Sequence, residues 1–136
     1  DQDVLNDAKR FSLKKADEVE KIEMLRGLGV KVMGMYILGY ESDTRESCLA
    51  TIEYAKRLNT SIAVFSIFTP YPGTPVFISF KDRITATKFE EYNQWNPVFK
   101  HQNLSNEDIR SLLTFAFDSY YLNIKWFFRN FIKQLI

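Results

Sequence analysis

The hydrophobic pattern of the first half of the chain predicts two amphipathic helices. From Ser12, a suitable N-cap, to about Arg26, apolar residues recur at every third position, and the glycine-containing segment 27–29 then ends the helix. A second helix is predicted at about 44–58, where Asp43 and Glu46 can form a capping box. Its buried side is expected to comprise Cys48, Leu49, Ile52 and Ala55, with Leu58 as a further candidate.

Each predicted helix is followed by a short apolar segment that predicts a strand. Segments 30–38 and 62–68 are mostly apolar without clean alternation, which is typical of strands that are covered on both faces. Because the connections are short, the strand–helix–strand unit predicts two parallel strands joined by a crossover. Parallel sheets usually contain more than two strands, so residues 1–80 are expected to be part of a larger α/β sheet or barrel.

The second half, residues 81–136, has a different pattern. The stretch 81–102 is irregular, with a short helix expected near 87–93. Ser105 with Asp108 (or Glu107) can cap a final helix that is predicted to continue to Ile136, since no Gly or Pro interrupts it. One face of this helix is expected to be broad and mostly aromatic: Phe117, Tyr120, Tyr121, Ile124, Phe127, Phe128, Phe131, Ile132 and Leu135. Two apolar residues fall on the opposite side beside three basic ones: Leu122 and Trp126 beside Lys125, Arg129 and Lys133.

Composition narrows the classes of function. A length of 136 residues fits one domain, and a net charge of +1 gives no electrostatic case for a nucleic-acid partner. The single cysteine, Cys48, excludes an intramolecular disulfide and fits a reducing, cytoplasmic location; its place on an apolar helix face predicts a packed core thiol. No apolar run is long enough to span a bilayer. The chain begins with Asp1 instead of Met, so we expect a piece of a longer protein or a processed chain.

Candidate chemistry lies where the two predicted strands end. Gly39 ends the first strand and allows close approach to its backbone, whereas Phe68 and Tyr71 adjoin the proline-rich loop 69–75 after the second. One small and one aromatic strand end could hold a planar ring such as adenine between them. The alternative is that Gly39 only forms a turn and the prolines only stiffen a loop. His101, the single histidine, is expected to be solvated or to cap a backbone group.

An ordered set of motifs gives the chain a family resemblance. The motifs are Gly27-Leu28-Gly29-Val30, Met35-Tyr36-Ile37-Leu38-Gly39-Tyr40, Asp43-Thr44, Thr51-Ile52-Glu53-Tyr54-Ala55 and Thr69-Pro70-Tyr71-Pro72-Gly73-Thr74-Pro75-Val76-Phe77. Three later segments add to them: Trp95-Asn96-Pro97-Val98-Phe99, Leu104-Ser105-Asn106-Glu107-Asp108 and Tyr120-Tyr121-Leu122. This order resembles the C-terminal half of a radical SAM domain. The nearest branch carries an N-terminal cobalamin-binding domain and includes anaerobic magnesium-protoporphyrin monomethyl ester cyclases and related methyltransferases. Glu41 and Ser42 depart from the branch pattern, which often has Pro and Gly there.

The resemblance implies a fold and a cofactor set. The fold would be the C-terminal portion of a radical SAM partial (β/α) barrel, with two parallel strands and helices in residues 1–80, followed by a linker and a helical extension in residues 81–136. Such enzymes bind a 4Fe–4S cluster through a CxxxCxxC loop near the N-terminal end of the barrel. They cleave S-adenosylmethionine reductively for oxidoreductase, cyclase or methyltransferase chemistry. The family's adenosine contacts correspond here to Ile37 and Gly39, and more loosely to Phe68 and Tyr71.

The lone cysteine sets a limit on what this chain can do. Because a cluster needs several thiolates, the chain is expected to bind no iron–sulfur cluster and to be inactive by itself, with no cofactor tightly bound. Its main expected partner is the remaining N-terminal part of the same polypeptide, which can carry the cluster and a cobalamin domain. Self-association or peripheral membrane contact through the last helix is an alternative, as part of a non-catalytic interaction module. A different adenosine-binding α/β protein is a third possibility.

Overall fold

A parallel pair of strands with helices packed on one face forms the centre of the molecule. The computed structural model describes residues 15–124, 126 and 128. The helices and strands lie in the order α1 (Lys15–Gly27), β1 (Met33–Leu38), α2 (Arg45–Leu58), β2 (Ile62–Ile67), α3 (Pro75–Phe80) and α4 (Asn106–Tyr121). Two single 3₁₀ turns, Lys81–Arg83 and Phe89–Glu91, lie between α3 and α4. The predicted α/β class is therefore confirmed.

The two strands pair in parallel and in register, as predicted. Met33 lies opposite Ile62 at one end of the pair, and Leu38 lies opposite Ile67 at the other. β1 begins three residues later than predicted, because Val30 still belongs to the end of α1. The Val30 N–H bonds to the Leu25 carbonyl, while Gly29 takes a left-handed φ of 79°. This is the Schellman type of helix ending, which delays the start of the strand.

One face of the strand pair carries the core. The largest cluster of buried residues joins the strands to α2 and α4; it includes Leu38, Phe65, Ile67, Cys48, Ile52, Ala55, Ile109, Leu112 and Ala116. The opposite face is open within the described residues, where Met35 is 68% exposed and Met33 is 55% exposed. The described residues cover only one face of the strand pair, so the coverage predicted for the second face stays a prediction. The apolar composition of the open face nevertheless suits a buried surface.

The start of α2 differs from the predicted capping box. Thr44 is the N-cap, and it exchanges hydrogen bonds with Ser47, so Glu46 has no part in the box. Asp43 instead turns its carboxylate back toward the end of β1, which the next subsection describes. At the other end of the helix, Asn59 adopts the left-handed conformation with φ 48°. The Arg26 guanidinium donates to the carbonyl of Asn59 at 3.0 Å and so satisfies a C-terminal acceptor.

The segment between β2 and α4 contains more regular structure than predicted. Thr74 caps α3, and Pro75 occupies its first turn, where proline is tolerated because that N–H has no helical partner. The helix predicted near 87–93 is only the 3₁₀ turn at Phe89–Glu91. A second, smaller core of Phe80, Val98 and Phe99 holds this segment together.

The predicted last helix is interrupted at Leu122 and Asn123. Its Ser105–Asp108 capping box is confirmed, but α4 ends at Tyr121 with Leu122 as its C-cap, and helical backbone is found again at Ile124, Trp126 and Phe128. The residues after the break therefore lie on other faces than a continuous helix would give them. Trp126 packs edge-on against Tyr121 with ring centroids 4.7 Å apart, whereas Ile124 and Phe128 are exposed. The predictions for residues 125, 127 and 129–136, and for Ser12, fall outside the described residues. In the part of the chain that is described, no helix is long and apolar enough to cross a membrane.

Candidate functional site

A cleft of ≈ 300 Å³ opens at the carboxyl ends of β1 and β2. Its lining residues are Met35, Ile37, Tyr40, Ser66, Ile67, Phe68, Thr69, Tyr71 and Gln94. Three of the four residues singled out in the sequence, Ile37, Phe68 and Tyr71, therefore lie around one cleft. The fourth, Gly39, is not among the lining residues. None of the lining side chains carries a charge at neutral pH, so the cleft suits an uncharged ring better than a phosphate or a carboxylate.

Aromatic rings form a fixed wall of this cleft. Phe68 stacks on Tyr40, with centroids 4.5 Å apart and planes inclined by 27°. Behind it, Phe80 and Phe99 contact Phe68 edge-on at 5.6 and 5.9 Å. Because these neighbours belong to the second core, the Phe68 ring is held from both sides. A flat ring in the cleft would meet a surface that is already ordered.

Gly39 shapes the turn that brings Tyr40 to the cleft. It has a φ of 79°, in the left-handed region that favours glycine, and it is buried. A Cβ at this position would lie 3.7 Å from the Ile109 side chain, an ordinary contact, so the backbone conformation is what demands glycine. The role the structure displays for Gly39 is that of a turn residue one position before a cleft residue.

The same turn is held by the buried carboxylate of Asp43, which is only 3% exposed. One oxygen accepts the backbone N–H groups of Gly39 and Tyr40, each at 2.9 Å. The other oxygen accepts a short hydrogen bond from the Ser47 hydroxyl. Sequence reasoning assigned Asp43 to a helix cap; the aspartate lies four residues after a strand-end glycine, and that spacing is the signal for this second role.

His101 fixes the turn from the opposite side. Its Nδ1 accepts the backbone N–H groups of Asn103 and Leu104, each at 3.1 Å. The other ring nitrogen, Nε2, must then carry the proton, and it donates to the Tyr40 carbonyl at 2.6 Å. The capping role predicted for His101 is confirmed, while the solvated alternative is wrong because the ring is buried. Asp43 and His101 together bind both sides of the Tyr40 backbone.

Gln94 is a lining residue that the sequence did not indicate. It has a φ of 66°, which is uncommon for a residue other than glycine. Its carbonyl accepts the Ile67 N–H at 2.8 Å, so its backbone is attached to the last residue of β2. The irregular loop before α4 thus supplies one side of the cleft.

Cys48 lies in the core, as predicted, and has no part in the cleft. Burial raises the pKa of its thiol to about 12, so the sulfur stays protonated near neutral pH. Within the described residues, no group of three or more His, Cys, Asp or Glu side chains is placed to hold a metal ion. A thiolate-bound cluster does not fit this chain, since Cys48 is its only cysteine.

These features define an α/β unit with a neutral, partly aromatic cleft at the carboxyl ends of parallel strands. No family model matches the chain. Among curated proteins, it is 30% identical over 118 residues to an uncharacterized methyltransferase of Pyrococcus horikoshii, an alignment that covers 85% of this chain and 26% of the relative. It is also 30% identical over 80 residues to a bacteriochlorophyllide d C-12(1)-methyltransferase of Chlorobaculum tepidum, covering 59% of this chain and 18% of the relative.

A third relative is an anaerobic magnesium-protoporphyrin IX monomethyl ester cyclase of Cereibacter sphaeroides. The identity is 27% over 94 residues, covering 69% of this chain and 15% of the relative. The proteins that the chain resembles are therefore enzymes, namely methyltransferases and a cyclase. The alignments with these three relatives span about a quarter of their length or less.

Proposed function

We propose that this chain supplies the adenosine-binding wall of an S-adenosylmethionine site in a radical SAM enzyme. The observation that carries the proposal is the strand-end cleft, which brings Ile37, Phe68 and Tyr71 together at the carboxyl ends of two parallel strands. Ligands of parallel α/β proteins bind at this end of the strands. The similarity to methyltransferases and a cyclase supports the same class of chemistry.

Of the two edges of the strand pair, the β2 edge is partly covered and the β1 edge is unpaired within the described residues, which supports a larger sheet that extends at β1. The outer edge of β2 is covered at Ala63, whose N–H donates to the Tyr121 hydroxyl at 3.1 Å and whose carbonyl accepts from it at 2.7 Å. Near the end of the same edge, the Ile67 N–H bonds to Gln94. β1 has no second strand partner within the described residues. Further strands of the same polypeptide would add at β1, and closing them into a barrel would cover the open face around Met35.

The residues that line the cleft fit one part of the proposed cofactors, the adenosine group of S-adenosylmethionine. The cleft is at the small end of the range of ligand sites, about 300–1,000 Å³, which suits the purine ring and leaves the rest of the cofactor to other elements. When bound beside a reduced cluster, S-adenosylmethionine supplies a 5′-deoxyadenosyl radical. In this proposal Ile37, Phe68 and Tyr71 orient the adenosine and exclude water from it. The cluster ligands lie elsewhere in the full-length protein, so the chain alone is inactive.

Paired alanine substitutions test the proposal in the full-length protein that contains this chain. Tyr71 and Phe89 both lie 6.4 Å from the Tyr92 ring, measured between centroids, but only Tyr71 lines the cleft. Loss of an aromatic contact is worth about 0.5–1.5 kcal/mol. We therefore expect Tyr71→Ala to raise the Kd for S-adenosylmethionine by about 2- to 12-fold. Phe89→Ala should leave the Kd within about twofold.

Isothermal titration calorimetry under anaerobic conditions measures both values. No binding of S-adenosylmethionine to the wild-type protein would overturn the proposal outright. Equal Kd values for Tyr71→Ala and the wild type would show that the cofactor binds away from this cleft.

A further inference from the structure

Gln94 is an exposed residue of the cleft lining, and it is the one lining residue whose side chain is a carboxamide. A carboxamide presents donors and an acceptor in one plane, whereas Ser66, Thr69 and the two lining tyrosines each carry a single hydroxyl. The hydroxyls of Ser66 and Thr69 already donate to the carbonyls of Tyr36 and Ile67, at 3.4 and 3.0 Å. The remaining lining side chains are apolar. Gln94 is therefore the residue best equipped to distinguish one planar ring from another.

The backbone of Gln94 is held in place on both sides. Its carbonyl is bonded to β2 at Ile67. Its neighbour Asn93 accepts the Trp95 N–H at 3.0 Å, and the Trp95 ring stacks on Phe117 of α4 at 5.6 Å. Between these contacts, Gln94 has a left-handed φ of 66°. An unfavourable backbone conformation held next to a cleft is a feature of binding sites.

We propose that Gln94 selects a 6-aminopurine ring in this cleft, with its carboxamide oxygen accepting from the exocyclic amino group and its NH₂ donating to an adjacent ring nitrogen. This inference rests on the proposed function and names the residue that makes the site specific for adenine. The pairing uses the complementarity by which Gln and Asn side chains read adenine elsewhere. A neutral cleft favours this arrangement, because no charged lining group competes for the amide.

A cycle of two ligands and four protein forms tests the inference. The ligands are S-adenosylmethionine and its analogue with hydrogen in place of the 6-amino group, titrated into the full-length protein. The variants Gln94→Met and Gln94→Glu keep an unbranched side chain of similar length, so they should adopt the left-handed backbone conformation at position 94 at a similar cost. The control Gln102→Met removes another glutamine, which bonds to Glu41 and does not line the cleft.

The wild type and Gln102→Met should bind the 6-amino cofactor about tenfold more tightly than the analogue, as expected for loss of a paired hydrogen bond. Gln94→Met should bind the two ligands within about twofold of each other. Gln94→Glu keeps acceptor oxygens for the 6-amino group and loses both N–H donors to the ring nitrogen, so it should bind the cofactor more weakly than the wild type. If Gln94→Met does not fold, this weaker binding by Gln94→Glu is the deciding result.

The outcomes separate the two proposals. Undetectable binding of S-adenosylmethionine to the wild type overturns the proposed function and this inference with it. Wild-type binding with discrimination that survives in Gln94→Met overturns only the role of Gln94. Where Gln94→Glu decides, cofactor binding as tight as that of the wild type overturns it.

Discussion

The turn after β1 depends on one carboxylate, so Asp43→Ala is a sharp perturbation of the candidate site. Asp43 accepts the N–H groups of Gly39 and Tyr40 and the hydroxyl of Ser47. Alanine would leave the two N–H groups without this acceptor. The Ser47 hydroxyl has another acceptor within reach, the Thr44 carbonyl at 3.1 Å, so the loss of its bond to Asp43 costs little.

The expected magnitude follows from burial. A buried donor that loses its partner costs about 1–3 kcal/mol, so two would cost about 2–6 kcal/mol. Because the Gly39 bond is buried while the Tyr40 bond is only partly so, water can replace the second one. We expect Asp43→Ala to lower the free energy of unfolding by about 3 kcal/mol. Asp43→Asn keeps an oxygen for both N–H groups and should cost about 1 kcal/mol, the loss of charge assistance.

Urea unfolding of the chain, followed by circular dichroism, measures these differences. Asp118→Asn is the matched control, since Asp118 is exposed on α4 and its side chain should contribute within about 0.5 kcal/mol. A loss for Asp43→Ala no larger than for Asp118→Asn would refute the assignment of the turn to this carboxylate. Asp43→Ala should also weaken cofactor binding, because Tyr40 would no longer be fixed against Phe68.

Three further results are expected. The Cys48 thiol should resist alkylation at pH 8 until the protein unfolds, because burial raises its pKa to about 12; rapid labelling of the folded chain would contradict this. The folded pKa lies above the ordinary thiol value of 9.0. The contribution of this thiol to stability should therefore be complete below pH 9 and decline as pH rises toward 12, and Cys48→Ala should flatten the alkaline stability profile. Tyr121→Phe removes the hydroxyl that covers Ala63 at the edge of β2. It should lower the free energy of unfolding by about 1 kcal/mol and increase self-association measured by light scattering. The control Tyr92→Phe should do neither.

The sequence predicted the parts of the fold that depend on local pattern. The parallel strand pair, α2 and the Ser105–Asp108 cap follow from apolar runs, helical periodicity and capping chemistry. The helix α3 was missed because the proline-rich run looked like an uninterrupted loop, although Thr74 and Pro75 are also good residues for starting a helix.

Features set by tertiary contacts could not be predicted in the same way. α4 ends at Tyr121 without a glycine or proline, where the Tyr121 hydroxyl bonds to Ala63 of β2. The open face at Met35 could not be recognised, because its apolar residues match a strand covered on both faces. Gln94 gave no signal either, since a left-handed glutamine held by its neighbours has no sequence signature.

Photoaffinity labelling of the full-length protein tests the central claim most directly, because it reports where the purine ring lies. The probe is the 8-azido derivative of S-adenosylmethionine, with excess unlabelled cofactor as competitor and mass spectrometry to locate the adducts. We expect the adducts that the competitor suppresses to lie in segments 35–40, 66–71 or 94, around the strand-end cleft. Suppressible adducts found only outside these segments would contradict the account.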